Sequence, residues 1–530
     1  MPAPVASATS SPVESAAVAA RFPEPAVSYR TPAFESGHPG FTSNAELRTL
    51  MHGLVRKGDG RPDQTEVRLL QVGSSQTGIP LEALRFSRAP LALAATGTTA
   101  LAPRPVVLLV GQQHGDEPAG AEALIVIAQE LSAGALASVL DRIDVVILPR
   151  ANPDGAAAGL RGTASGVDAS RDHLLLRTPE AQAQALAQLV REFDPAVVVD
   201  AHEYAPLGRF LEKFGAVQRF DVLIQYAMTA NLSEFVTKAS EEWFRRPMLR
   251  SLNARGLSSE WYHTTSADPN DRKVAMGGVR PDTVRNVNGL RNAVSLLVET
   301  RGAGLGRAHL LRRVQTQVTA LGSVLRSAAE RAADLQKLRR FVDAEVAARA
   351  CQGDAVVEAA ATPSEYDLRM LDPQTGADTT VNVAWNSALE LTVLKRRARP
   401  CGYWLGADQV DAVLRLRALG VQVQRLDEPG ALRGETYAET GREPVHRSGA
   451  SDSPADAVAA LRLQVELVPA LIDAGAGSYY VGLDQPLANL VIAALEPDSP
   501  SGFVANRIVT DPRSQARVLM RPEMKATPMP

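Results

Sequence analysis

The chain reads as an α/β protein: a mixed, mostly parallel sheet with helices on both faces, followed by a smaller α+β C-terminal domain. Three observations predict this. Short continuous apolar runs, Val106 to Val110, Val145 to Pro149, Val197 to Val199 and Ser295 to Val298, alternate with segments of helical spacing; strands buried on both faces by crossover helices have this pattern. The turn-rich stretch from Gly73 to Pro80 separates Val67–Val72 from Leu81–Phe86, which predicts a hairpin at one edge and makes the sheet mixed. The 530 residues exceed one ordinary core, so two domains and a tail are expected.

Residues 1 to about 42 are rich in Pro, Ala and Ser with little periodicity, and a flexible or surface-draped extension is predicted there. Order begins near Ser43. Ser43-Asn-Ala-Glu46 reads as a capping box before the helical spacing Leu47, Leu50, Met51, Leu54. A helix is predicted over Ala119 to Leu131. A second starts at Thr178-Pro179-Glu180, with a capping hydroxyl, a proline in the first turn and an acid at the positive end of the dipole, and runs to about Phe193. From Gly306 to about Ala350 the Ala/Leu/Arg/Gln-rich sequence predicts one long helix or two consecutive ones, closing a first domain of residues 43–350.

Residues 355–530 form the second unit. Strand-like runs occur at Thr380 to Ala384, Leu389 to Leu394 and Leu463 to Leu467, with a helix from Ala407 to Leu419 leading into Val421 to Gln424 and a late helix from Pro486 to Leu495. It carries no motif with chemistry and no internal repeat, so a structural or partner-facing role is expected, including restricted access to a groove.

Composition narrows the function classes. Hydrophobic residues make up 45% and charged residues 22%, which argues against wholesale disorder. The formal net charge of −3 gives no sign of a polyanion partner, and the run Lys395-Arg-Arg-Ala-Arg399 is read as a solvated edge, so no nucleic acid is expected. No apolar run approaches the ~20 residues of a membrane-spanning helix. Cys351 and Cys401 are too few for a thiol metal cluster, and their spacing leaves a disulfide open. The opening residues lack the basic start and apolar stretch of a secretory signal, yet the Ala/Pro/Ser tract is like a leader that follows a removed one; an extracytoplasmic (periplasmic or secreted) site is the expectation.

Chemistry gathers at the ends of the apolar strands, where sites in such sheets form. Gly111-Gln-Gln-His-Gly-Asp-Glu-Pro118 sets His114 and Glu117 just past one strand, and Ala196-Val-Val-Val-Asp200 ends at His202. Two imidazoles and a carboxylate are a zinc donor set, because borderline-soft Zn2+ takes imidazole nitrogen and carboxylate oxygen and a catalytic site leaves one position open. The metal ligands expected are therefore His114, Glu117 and His202, holding one Zn2+ ion. Asn152-Pro-Asp-Gly155, Asp168-Ala-Ser-Arg-Asp172 and Leu297-Val-Glu-Thr-Arg301 add polar residues at further strand edges. Asp154 reads as a turn or supporting residue, and Asp200 either orients His202 or caps a turn. His173 and His263 read as surface or supporting residues, not ligands.

The order His-x-x-Glu, Asn-Pro-Asp-Gly, Asp-x-x-Arg, strand-end His, strand-end Glu resembles the zinc carboxypeptidase family, typified by carboxypeptidase A and including related N-acyl amino acid deacylases, over roughly residues 65 to 305. The resemblance implies that fold for the first domain and a peptide or N-acyl amino acid substrate. It also implies that Glu299 is the general base for a zinc-activated water and that Arg161 stabilises the oxyanion. In the family an Asn-Arg pair grips the terminal carboxylate; here the pair is Ser170-Arg171, which keeps the guanidinium fork and loses an amide donor. The loop Gly277 to Asn286 offers Arg280, Arg285 and Asn286 as substrate contacts, and Tyr262 is the nearest candidate for the family's mobile tyrosine.

The expected activity is thus zinc-dependent cleavage of an amide bond next to a C-terminal carboxylate by a metallocarboxypeptidase. Two alternatives stand beside it: an N-acyl amino acid deacylase of the aspartoacylase or succinylglutamate desuccinylase type, and a catalytically inactive binding protein on the same fold. The intact set of His114, Glu117, His202 and Glu299 counts against the second, and the long second unit is more than a compact deacylase requires. Side-chain preference, natural substrate and oligomeric state are not legible.

Overall fold

A computed structural model describes residues 13–57, 64–88, 103–177, 181–444 and 461–529. The strands of the first unit are β1 (Thr65–Ser74), β2 (Pro80–Arg88), β3 (Val106–Gly111), β4 (Asp144–Leu148), β5 (Val197–Tyr204), β6 (Val217–Gln218), β7 (Val222–Tyr226), β8 (Ser259–Trp261), β9 (Thr264–Thr265), β10 (Val274–Ala275) and β11 (Val294–Arg301). Eight of them make one sheet in the order β1-β2-β4-β3-β5-β11-β7-β8. The centre, β4-β3-β5-β11, is parallel; the β1-β2 hairpin joins it antiparallel at one edge, and β7 pairs antiparallel with β11 toward the other. The predicted mixed sheet is present.

Alternation along the strands explains the two layers of helix. Val107, Leu109, Val145, Ile147, Val197 and Val199 share one face, buried with residues of the helices Pro118–Ala133 and Leu310–Glu330. Leu108, Val110, Val146, Leu148 and Val198 share the other, packed on Ala185, Leu186, Leu189 and Val190 of the helix Ala181–Phe193. Both faces are apolar because both are covered, as the continuous runs predicted. The capping box is formed as read, with the Ser43 Oγ accepting from the Glu46 N–H and the Glu46 carboxylate accepting from the Ser43 N–H. The start read at Thr178-Pro179-Glu180 lies outside the described residues.

Residues 13–42 are tied to the first unit by contacts that their Pro/Ala/Ser composition does not advertise. Glu14 is paired with Arg301 at 2.6 Å and with His309 at 2.9 Å, and the Phe22 ring lies 4.0 Å from the Arg301 guanidinium. Further along, Thr31 and Thr42 both donate to the buried Glu122 carboxylate.

The second unit begins with a long hairpin, β12 (Asp354–Leu371) and β13 (Asp378–Ala398). β12 pairs with β6 and β13 with β10, so the hairpin is seated on two loops of the first unit. The strands β14 (Gly402–Leu405), β15 (Gln424–Leu426), β16 (Gly430–Pro444), β17 (Leu461–Ala474), β18 (Tyr479–Gly482), β19 (Gln515–Val518) and β20 (Ala526–Pro528) make a separate sheet, with the helices Val410–Ala418 and Ala488–Leu495 alongside. The strand read at Val421 to Gln424 begins only at Gln424, because the Gln485 side chain exchanges hydrogen bonds with the Gln422 backbone in place of a neighbouring strand.

The Lys395 to Arg399 run is a correction: it is not a solvated edge. Arg397 and Arg399 point inward, and Arg397 pairs with Glu496 at 2.5 Å and Asp498 at 2.7 Å, while the Tyr403 hydroxyl donates to Glu496. A strand alternates faces, so every second basic residue of the run was bound to face the core, and the two carboxylates that receive Arg397 lie about a hundred residues away in sequence.

Cys351 and Cys401, left open by spacing, form a disulfide that closes the base of the β12-β13 hairpin across 50 residues. Replacing both by serine is expected to destabilise the protein by about 2–4 kcal/mol through the freed unfolded chain, read as a lower thermal midpoint and a lower denaturant midpoint. An unchanged midpoint under non-reducing conditions would show that the bridge adds nothing.

Candidate active site

Strand β3 runs out at Gly111 into a loop that the backbone alone would not hold. Gln112 takes a left-handed φ of 46°, stabilised by its own side chain, which donates to the Gly115 carbonyl and accepts from Arg150. Gly115 is required by close approach: a Cβ there would sit 1.9 Å from the carbonyl carbon of Gly155. The Asn-Pro-Asp-Gly turn is therefore the wall against which the His114 loop is pressed. Asn152 completes that wall, accepting from the Gly155 N–H and donating to the carbonyls of Arg161 and Gly162. Asp154 fixes the turn to the edge hairpin through the hydroxyls of Ser75 and Thr77.

These constraints bring His114 and Glu117 to His202, which β5 delivers from the neighbouring strand. One ligand atom from each lies within 4.8 Å of the others, and among the described residues no other such group of His, Cys, Asp and Glu occurs. The His114 Nδ1 is 2.7 Å from Glu117 Oε1, the His202 Nδ1 is 2.8 Å from Glu117 Oε2, and the two Nδ1 atoms are 3.1 Å apart. All three side chains are buried.

The opposite ring nitrogens are occupied, which fixes the orientation of both rings. His114 Nε2 lies 3.2 Å from Asp168 Oδ1 and 3.0 Å from Ser170 Oγ, and His202 Nε2 lies 3.0 Å from Asp200 Oδ1. Asp200 therefore orients the His202 imidazole, and Asp168 that of His114. Gln113 donates to Asp200 and accepts from His173 Nε2, extending the chain of contacts one residue outward. His173 thus supports the site; His263, held by the Trp261 carbonyl, is buried elsewhere, and neither joins the donor cluster.

Burial alone would discourage charge on these groups, but the neighbours prevail. The imidazoles of His114 and His202 hold the Glu117 carboxyl well below the ordinary range against its desolvation, and His114 with Arg161 does the same for Asp168. Asp200 and Glu117 raise the proton affinity of His202 well above the usual value despite its burial. The cluster is lined by two imidazole nitrogens and a carboxylate. That donor set fits a zinc ion.

Glu299 lies beside the cluster on β11, paired in register with His202 across the parallel β5 strand. Burial pushes its carboxyl up to about 7. Arg161 reaches the same place: its guanidinium donates to Glu117 Oε1 at 3.3 Å and Asp168 Oδ2 at 3.1 Å, and about a third of the side chain is exposed. Arg171 donates to the Ser170 Oγ at 2.8 Å. The Ser170 hydroxyl, expected beside Arg171 as a substrate contact, is taken up by its own neighbours: it donates to Asp168 Oδ1 at 2.5 Å while accepting from Arg171. Tyr262 is buried, and its hydroxyl is raised in pKa by that burial and by the charge of Glu299, against the pull of Arg171, Arg285 and Arg161. Arg285 is buried with its guanidinium 5.6 Å from the centre of the Tyr262 ring. Asn286 donates to the carbonyls of Gly278 and Arg280.

Sequence reasoning missed three supports. Gln113 stands beside a named ligand and could have been flagged by that position. Arg313, which donates in a fork to Glu203, and Gln317, which donates to the His202 and Val298 carbonyls, are on a helix more than a hundred residues downstream and give no local signal.

A model of the zinc carboxypeptidase family matches residues 61–214. Carboxypeptidase 2 of Trichophyton rubrum is 28% identical over 418 residues, covering 76% of this chain and 74% of that protein. Mouse carboxypeptidase D is 41% identical over 100 residues, which is 17% of this chain and 7% of that protein. Carboxypeptidase A of Helicoverpa armigera superposes over 60% of this chain and 80% of its own at 15% identity with a TM-score of 0.40, a likeness too loose to argue from. The family match begins before the His114 loop and runs past His202, and the longer relative carries the likeness over three quarters of the chain: residues 61–214 are a zinc carboxypeptidase domain, and the homologues named carboxypeptidase make the chain a metallocarboxypeptidase.

Proposed function

We propose that the chain removes the C-terminal residue of a peptide, with His114, Glu117 and His202 holding one Zn2+ ion, Glu299 moving the proton and Arg161 and Arg171 receiving negative charge. The observation that carries this is the convergence of the three donor atoms within 4.8 Å of one another beside Glu299. A zinc ion, when bound, supplies positive charge that polarises the scissile carbonyl and acidifies water. Glu299 would take the proton of an attacking water and pass it to the leaving nitrogen. A carboxyl whose burial brings its pKa to about 7 is matched to both halves of that transfer near neutral pH.

Arg161 offers fixed positive charge to the oxygen of the tetrahedral intermediate, and its anchorage on Asp168 means little reorganisation when that charge appears. Arg171 offers a guanidinium to the terminal carboxylate, aimed by the Ser170 hydroxyl, so Ser170 acts through Arg171 and not on the substrate. A deacylase would use the same groups on an N-acyl amino acid. Assaying blocked dipeptides beside N-acyl amino acids separates the two, and release of acid from the latter alone would overturn the peptidase reading.

Among the described residues no helix is long and apolar enough to cross a membrane. An extracytoplasmic site is favoured by the Cys351–Cys401 disulfide, since such bonds persist in oxidising compartments.

Glu299→Gln is expected to keep stoichiometric zinc and the wild-type thermal midpoint while lowering kcat by about 100- to 10,000-fold; unchanged turnover would remove Glu299 from its role. Asp200→Asn should lower zinc affinity by about 10- to 100-fold in a competitive chelator titration. Wild-type affinity in that variant would mean that His202 needs no such partner.

A further inference from the structure

Three guanidiniums surround Tyr262 beside the donor cluster, and among the described residues only one of them has an acid of its own. Arg161 is paired with Glu117 and Asp168. For Arg171 and Arg285, no carboxylate oxygen among the described residues lies within the 4.0 Å of an ion pair. Among the described residues Arg171 hydrogen-bonds to Ser170 alone, and Arg285 to the Gly278 carbonyl at 3.1 Å, with its Nε buried and unpartnered. Asp282 adds negative potential at both without bonding to either. A buried guanidinium lacking an anion is costly to maintain, and a ligand that brings the anion recovers that cost.

Arg285 is also held where it is. Gly277 has a left-handed φ of 79°, and a Cβ there would lie 2.7 Å from Tyr262 Cε1 and 2.8 Å from an Arg285 terminal nitrogen, so the loop presses on ring and guanidinium together. From the far side, the Met276 N–H donates to the Asn386 carbonyl of the β12-β13 hairpin at 3.0 Å, and Asn286 ties down the carbonyls of Gly278 and Arg280. This is a fixed fork, not a surface side chain free to swing.

One terminal carboxylate neutralises one guanidinium. Resting on the peptidase reading, which gives Arg171 to that carboxylate, we infer that Arg285 receives a second carboxylate, so that the preferred substrate ends in an acidic residue, glutamate or aspartate. Arg285 is then the residue that determines specificity, and Ser170, whose hydroxyl is spent on Asp168, takes no part in reading the side chain.

The test uses the full zinc-loaded chain and acyl-blocked peptides that differ only in the last residue: Glu against Gln, and Asp against Asn. The wild type is expected to favour the acidic member of each pair in kcat/KM by about 30-fold or more, as for a buried charge pair. Arg285→Met should bring the Glu peptide down to the level of the Gln peptide, while a wild-type thermal midpoint and stoichiometric zinc report that the variant folds. Equal rates for Glu and Gln in the wild type would overturn the inference without any variant. An equal loss on both peptides in Arg285→Met would overturn it too, and would make Arg285 a second grip on the terminal carboxylate. If no peptide is cleaved, the peptidase reading falls separately, and calorimetric binding of free L-glutamate against L-glutamine still judges the pocket: tighter glutamate binding, lost in Arg285→Met, supports it, and equal binding overturns it.

Discussion

The parallel pairing of β5 with β11 is the constraint on which the site depends. In that register His202 stands opposite Glu299, so the imidazole and the carboxyl leave the sheet at the same level from adjacent strands. Side chains alternate along a strand, so a one-residue slip would turn one of the two to the other face. The helix Leu310–Glu330 guards against such a slip: Gln317 spans the two strands by donating to the carbonyls of His202 and Val298, and Arg313 clamps Glu203. Backbone hydrogen bonds, a buried amide and a buried ion pair thus all set one distance.

Around that axis, charge is arranged in layers. Asp168 and Asp200 sit behind the two imidazoles and aim their inner nitrogens at Glu117, while Arg161 leans on both Asp168 and Glu117. Buried polar groups are costly without partners, and here the partners of the two imidazoles also fix the direction of those rings. Gly115 lets the His114 loop touch the Asn-Pro-Asp-Gly turn at backbone distance, which is why that turn, remote from the chemistry by residue type, is close to it in space.

Much of this was legible in the sequence because the sheet is built from uninterrupted apolar runs and sites in such sheets gather where the runs end. His114, Glu117, His202 and Glu299 each lie at or just beyond such an end, and Asn152, Arg161 and Arg171 follow in an order that matched a family. What was not legible depends on contacts between residues far apart in the chain. Gln317 looks like any helical glutamine until its two acceptors are known. The Lys395–Arg399 run looks like a wet edge until Glu496 and Asp498 fold over it. The role of Ser170 turned on which neighbour takes its hydroxyl, a matter of ångströms that residue type cannot supply.

The strap formed by residues 13–42 has a bearing on the order of assembly. Glu14 meets His309 across 295 residues of chain, and its partner Arg301 ends the strand that carries Glu299. Contacts so distant in sequence cannot close until the intervening polypeptide has been made and largely ordered. Residues 13–42 are therefore among the last to find their place, and β11 is sealed at its carboxyl end only when the two extremes of the first unit have met.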